Sequence, residues 1–383
     1  MIKKITVTTG TRGEYGILRP LLNEIKKSKK LDLCLIVAGM HLSKKFGKSI
    51  DEITKDGFKI NAKVDMLPKG NTPYHMSIAL GEGIIRFSKI FQKIKPDINL
   101  LLGDRDEMLA SALAAYHMNI LNGHIHGGDK SKGGMDEYTR HALTKISNIH
   151  FAATQKSYNN ILKMGENPKF VFQSGSPGID EVVSKKITLK KELEKKYNIK
   201  FSGNEILLVY HPVTTQVEKS GKQIINILKA VSNLKKPTIA VGPNSDAGSK
   251  EILDNLIKFS KRHEYFQFYR NLRRNDFLGL LNNIGVLVGN SSSGIIEASY
   301  FAIPVVNIGI RQQGREKGKN VIDVSDEKTK PIQDAIIAAL KLKKRGNLSK
   351  IRIYGNGNAS KKIVSILEKI KLDKKLIQKQ IFY

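Results

Sequence analysis

Val286-Leu287-Val288-Gly289-Asn290-Ser291-Ser292-Ser293-Gly294-Ile295-Ile296-Glu297 begins as an apolar run, stops at a glycine, and resumes after three hydroxyls as a helix-like segment. A short apolar strand handing over to a helix through such a turn is the repeating unit of a parallel sheet covered on both faces. The same alternation extends outward from it. Strands are expected near 206–210, 238–241 and 266–269 before it and near 305–308 after it. An earlier series runs through 5–8, 33–37, 98–102, 120–125 and 149–152. Between the two series, Gly175-Ser176-Pro177-Gly178 marks a turn, and the lysine-rich stretch 184–197 reads as a helical connector. The pattern predicts the α/β class, with two Rossmann-like, doubly wound domains facing a central cleft over residues 1–184 and 185–360. A basic helix over 361–379 closes the chain. Open parallel sheets bind ligands beyond their strand C-termini, so the site is expected between the domains.

Length and composition agree. With 383 residues, two cores are favoured over one. Hydrophobic residues make up 40% and charged residues 26%, and no run approaches the ~20 apolar residues of a membrane span. The start, Met1 running through Lys3 and Lys4 into a strand, reads as lacking a secretory leader. The one cysteine, Cys34, fits a reducing compartment, so a cytoplasmic location is expected. The formal charge is +30, yet lysines outnumber arginines 52 to 13, the excess that an AT-rich coding sequence produces. They are scattered, without the interleaved aromatics of a nucleic-acid platform. A small anionic ligand is expected, and neither nucleic acid nor membrane.

Seven segments carry candidate chemistry. Thr8-Thr9-Gly10-Thr11-Arg12-Gly13-Glu14 follows the first strand, and its glycines, amides and Arg12 suit an anion, although the spacing is neither GxGxxG nor a Walker loop. Gly103-Asp104-Arg105 ends an apolar strand; Asp104 is either a site carboxylate or the cap of the following helix. His126-Gly127-Gly128-Asp129 and then Asp136, Glu137, Arg140 and His141 form an acid-rich loop suited to proton transfer, with spacing that matches no zinc signature. In the second half stand His211, just past a strand, and the polar loop Gly242–Gly248 containing Asn244. The opening segment offers Ser291 and Ser292 as a phosphate cradle and Glu297 as an acceptor for a ribose diol. Arg311, Gln312, Gly314, Arg315 and Asn320 form a polar arm able to close over the same anion.

Taken together, Gly10-Thr11-Arg12, Gly103-Asp104-Arg105, His126-Gly127-Gly128, Arg140-His141-Ala142-Leu143-Thr144-Lys145, His211-Pro212-Val213-Thr214-Thr215 and Gly289-Asn290-Ser291-Ser292 resemble the hydrolysing UDP-N-acetylglucosamine 2-epimerases of sialic-acid synthesis. Relatives of that family act on UDP-diacetylbacillosamine or GDP-N-acetylglucosamine in legionaminic-type pathways. The resemblance implies a GT-B fold, with the last helix packing back on the first domain. It also implies loss of UDP across C1 and C2 of the sugar to give a 2-acetamidoglucal, then hydration with the proton returned to the opposite face of C2. By position, Asp104, Asp129 and Asp136 resemble the family's catalytic acids, Asp129 standing where the family usually has Glu. His211 and Arg12 resemble diphosphate and sugar contacts. Arg105, His126, Arg140, Asn244, Ser291, Ser292, Glu297, Arg311 and Arg315 complete the substrate contacts. No metal or other cofactor is implied, the partner is a nucleotide sugar, and a homo-oligomer is expected. The alternatives from other classes are a GT-B glycosyltransferase and a nucleotide-sugar sensor.

Overall fold

The computed structural model describes residues 2–131 and 133–382; Met1, Lys132 and Tyr383 lie outside them. The first half contributes β1 (Lys3–Thr9), β2 (Leu31–Ala38), β3 (Ile60–Val64), β4 (Ile98–Leu102), β5 (Leu121–Ile125), β6 (Ile149–Ala152) and β7 (Val171–Gln173). They form one parallel sheet in the order β3-β2-β1-β4-β5-β6-β7. β4 is buried at every position because both faces of the sheet are covered. Helix Arg12–Lys27 covers one face together with helix Ala359–Lys369, whose Ile363, Val364 and Leu367 share a core with Ile5, Val7 and Leu100. Helices Pro73–Ile94 and Asp106–His117 cover the other, packing Phe87, Phe91, Ala110 and Ala114 on Ile36 and Ala38.

The second sheet comprises β8 (Ile206–Val209), β9 (Thr238–Val241), β10 (Phe266–Tyr269), β11 (Val286–Gly289), β12 (Val305–Ile308) and β13 (Val321–Val324), all parallel. Their order is β10-β9-β8-β11-β12-β13. Along β8 the pleat sends Ile206 and Leu208 to one core and Leu207 and Val209 to the other. The strand order reverses between β1 and β4 in the first sheet and between β8 and β11 in the second. Loops leaving those four strands hold Gly10 to Arg12, Gly103 to Arg105, His211 and Asn290 to Ser293. Such reversal points open the crevices in which α/β sheets take ligands.

Three strands escape the sequence pattern: β3, β7 and β13, each at a sheet edge. The expected helix over 184–197 begins only at Lys190. Lys185 sits at φ +53°, and the Thr188 N–H donates to the Asn275 carbonyl at 3.1 Å while its hydroxyl donates to Asp276 at 2.6 Å, which draws that stretch out of helix. The closing helix also stops early, at Lys369, where the Lys3 ammonium takes the carbonyls of Leu367, Glu368 and Ile370 at 2.8, 2.9 and 2.7 Å. Among the described residues no helix is long and apolar enough to cross a membrane.

Candidate functional site

The two crevices face each other as one cleft. Arg12, Asp104, Arg105, His126 and Arg140 line it from the first half, and His211, Asn244, Arg274, Ser291, Ser292, Arg311 and Arg315 from the second.

In the first half, the loop after β1 is occupied by its own carboxylate. The Gly10 and Thr11 amides both donate to Glu14 Oε2 at 2.9 Å, and the Glu14 N–H donates to Thr11 Oγ1 at 3.2 Å, a complete capping box. The amides expected to meet an anion are therefore taken. Burial, together with the neighbouring Glu107 carboxylate, raises Glu14 to about 7. Arg12 remains on the cleft wall, paired with Glu52 at 3.0 Å.

After β4, Gly103 at φ +76° turns the chain, and the next helix starts at Asp106 with Arg105 as its N-cap residue. Asp104 is thus no cap. Its carboxylate pairs with Arg140 Nη2. Arg140 is 1% exposed and also donates to the Asp129 carbonyl at 3.1 Å and to Ser131 Oγ at 2.7 Å. The acid-rich segment is only partly the loop expected of it, because Asp136, Glu137, Arg140 and His141 sit on helix Asp136–Lys145. Acids in a first helical turn complement the positive end of the helix. From that turn Asp136 reaches the second half, accepting from Arg311 Nη2 at 3.1 Å.

Asp129 does not reach the cleft wall. Its Oδ1 accepts from the Ser157 hydroxyl, and its Oδ2 lies 3.4 Å from His126 Nδ1 and 3.9 Å from Arg315 Nη1. Burial raises its pKa, but the His126 hydrogen bond, the Arg315 charge and the Ser157 hydroxyl outweigh burial and hold it below the ordinary carboxylate value. It is a locked anion behind His126, whose Nε2 hydrogen-bonds Ser176 Oγ at 2.9 Å.

The second half is built around Asn290. Its Oδ1 accepts from the His211 N–H and its Nδ2 donates to the His211 carbonyl, both at 2.8 Å, which ties the exits of β8 and β11 together. Its own carbonyl accepts from Gln312 Nε2 at 3.1 Å and Arg311 Nη1 at 3.4 Å. Gly289, at φ +135°, lets β11 end so close to β8 that a Cβ there would overlap the Val209 carbonyl. His211 Nδ1 accepts from the Asn244 N–H at 3.1 Å, which leaves the proton of the neutral ring on Nε2. Burial and the Arg311 charge lower His211 to about 3, so it stands in the cleft as a neutral donor.

The helix expected after the serine turn is two four-residue pieces, Ser292–Ile295 and Glu297–Tyr300, split at Ile296. Ser291 caps the first by accepting from the Ser293 N–H at 3.3 Å. Such short pieces offer hydroxyls and local amides more than a summed dipole. Glu297 lies off the lining, 1% exposed, and accepts from Arg274 Nη2 at 2.6 Å, so it meets the cleft through Arg274. Asn320 leaves the expected arm altogether: it is fully buried and donates to the Ile303 carbonyl at 2.8 Å.

Bridges between the halves complete the site. Arg105 Nη2 donates to Asp246 Oδ1, and its Nε to Glu107 Oε2, both at 3.1 Å. The Met135 N–H donates to Thr214 Oγ1 at 3.1 Å. Sequence reasoning missed Asn290 as the tie on His211, and Asp246, Glu107 and Arg274 as partners. Asp246 at least lay in a loop singled out as polar; the others carried no local signal. Among the described residues no cluster of His, Cys, Asp and Glu could hold a metal ion.

The sequence profile of the UDP-N-acetylglucosamine 2-epimerases matches residues 23–368. A UDP-N,N'-diacetylbacillosamine 2-epimerase (hydrolyzing) of Legionella pneumophila is 37% identical over 99% of both chains. A UDP-N-acetylglucosamine 2-epimerase of Neisseria meningitidis is 34% identical over 90% of this chain and 89% of its own. In fold, the chain superposes on a crystal structure of UDP-GlcNAc 2-epimerase from Neisseria meningitidis bound to UDP-GlcNAc with a TM-score of 0.79, at 21% identity, covering 96% of this chain and all of the other.

Proposed function

The chain belongs to the UDP-N-acetylglucosamine 2-epimerase family, an enzyme family acting on nucleotide sugars, and from that premise we propose that it is a hydrolysing UDP-sugar 2-epimerase with Asp104 and Asp136 as its proton-handling acids. The observation that supports this best is the meeting of unlike groups across one cleft: Asp104 paired with Arg140 on one wall, with Asp136 off the lining but held by the lining Arg311, and Ser291, Ser292 and a neutral, proton-bearing His211 on the other.

A C2 proton beside an acetamido group is weakly acidic, so UDP departs early as positive charge builds at C1. His211 Nε2–H, the two serine hydroxyls and Arg311 are the donors that meet the charge growing on the diphosphate. One carboxylate takes the C2 proton, leaving the 2-acetamidoglucal and UDP. Water then adds its hydroxyl to C1, while a second acid returns a proton to the opposite face of C2 and inverts it. Arg140 orients Asp104 and Arg311 orients Asp136, so each carboxylate is held by a guanidinium from a different half. Asp129, locked behind His126, positions that ring instead of handling protons.

For the sugar, identity over nearly the whole of both chains favours UDP-N,N'-diacetylbacillosamine, the substrate in the Legionella relative's name. UDP-N-acetylglucosamine is the second reading, from the Neisseria relative. The protein is incubated in heavy water with each UDP sugar and with GDP-N-acetylglucosamine, and the products are read by NMR. The expected product is free sugar with inverted C2 carrying one deuterium, plus UDP. An epimer still joined to its nucleotide would mean a non-hydrolysing enzyme, and protium retained at an inverted C2 would exclude elimination.

A further inference from the structure

Arg274 opens helix Arg274–Asn283 of the second half, yet its side chain is lodged in the first. It is 5% exposed and reaches the cleft lining. A Cβ on Gly16, in helix Arg12–Lys27, would stand 2.6 Å from Arg274 Cδ and 3.0 Å from its Cγ. A Cβ on Gly178, in helix Pro177–Val183, would be tight only on Ile17 Cγ1, at 3.2 Å, and in ordinary contact with Arg274 Nη2 at 3.5 Å. Neither glycine has a left-handed backbone, and glycine within a helix is destabilising relative to alanine. Clearance for the Arg274 stem supplies a steric reason for Gly16.

At its tip Arg274 spans two carboxylates from different halves. Nη2 donates to Glu297 Oε1 at 2.6 Å, and Nε lies 3.4 Å from Glu181 Oε2. Glu181 also accepts from Arg19 Nε at 2.9 Å, and Arg19 Nη2 crosses the other way to Asn275 Oδ1. Arg274 Nε and Glu181 Oε2 are both buried without a hydrogen bond, so this contact is an ion pair outside hydrogen-bond geometry. An apolar seam flanks it, with Ile179 and Val182 packed on Leu278, Ile295 and Ile296. Ile296 joins the serine turn directly to Glu297.

We propose that Arg274 is a positioning residue for nucleotide binding: seated in the slot that Gly16 leaves open, it fixes the angle between the two halves and, through Glu297, the placement of the serine turn. In its nucleotide-binding arm this rests on the function proposed above.

The test compares wild type, Gly16→Ala, Arg274→Met and the double variant, with UDP as the probe in calorimetry and X-ray scattering of the unliganded proteins. Each single change is expected to weaken UDP binding by at least about fivefold, and the double to stay within about twofold of Arg274→Met, because the alanine methyl acts by shifting the guanidinium off its carboxylates and Arg274→Met has no guanidinium to shift. Arg274→Met should also broaden the scattering distribution, and in turnover the loss should fall on KM with kcat nearly unchanged. Singles that multiply in the double, unaltered UDP affinity in Arg274→Met, or a collapse of kcat alone would each overturn the proposal. If Arg274→Met fails to fold, Arg274→Lys replaces it: the charge is kept but one ammonium cannot span both acids, so an intermediate loss is expected and none would refute. Should wild type itself not bind UDP, the functional reading fails, and the scattering comparison still decides whether Arg274 sets the angle.

Discussion

The two walls of the cleft are built from opposite materials. On the first, carboxylates at or behind the lining face guanidinia: Asp104 with Arg140 and Glu107 with Arg105, while Asp129 is held behind His126. On the second, the groups around Asn290 are hydroxyls, amides, a histidine kept neutral and the guanidinium of Arg311. A wall of paired charges is one that can move protons, since a small change in pairing changes basicity. A wall of fixed donors holds a leaving group without needing to titrate. The labour of an elimination divides along that line.

The largest expected effect would separate the walls outright. Asp104→Asn or Asp136→Asn keeps shape and removes the base, so turnover should fall about 10²-fold or more while UDP affinity, read by calorimetry, stays near wild type. Near-normal turnover in both would move the proton chemistry off this wall. Next, Ser291→Ala and Ser292→Ala should do the reverse. Each lost bond to a charged phosphate costs about 1.5 to 3 kcal/mol, so UDP affinity drops about tenfold or more per hydroxyl. Unchanged affinity in the pair would show that the second wall does not hold the nucleotide.

The smallest effect sharpens the contrast within the first wall. Glu14 titrates near 7 in the folded protein, against 4.5 for its ordinary value. Between those two pH values the folded chain keeps a proton that the unfolded chain has lost, so stability falls as pH rises through the window and levels off above it. Asp106, raised to about 7 by burial and by Glu107, acts with the same sign. Glu14→Gln should flatten about 2 kcal/mol of that decline, as measured by denaturant unfolding at about pH 5 and about pH 7.5. An unchanged slope would mean that Glu14 stays ionised in its cap.

Interior strands were legible because burial on two faces leaves a continuous apolar run, as in β4 and β8. Of the four edge strands only β10 was legible, from its aromatic run; β7 is three residues long, and β3 and β13 mix Asn, Lys and Asp into their runs, so none of these three carries that signal. The site divides the same way. Asp104 and His211 could be picked out because position at a strand end is a local property. What Asn290 does depends on β8 and β11 being neighbours, and what Glu14 does depends on a carboxylate folding back three residues, so one was merged into the serine turn and the other passed over. Asp129 looked like an open acid because Ser157, which turns it inward, is 28 residues away in sequence.

The return of helix Ala359–Lys369 to the first core means that the chain passes between the halves twice, once after Val183 and once before Ala359. The return passage is anchored where the Ser176 N–H donates to the Tyr354 carbonyl at 2.8 Å. A protease that nicks either passage would therefore leave the halves joined by the other, and the cut would show only on a denaturing gel. Two attachment points also act like the pins of a door: they permit a swing about the line between them and resist twisting about any other.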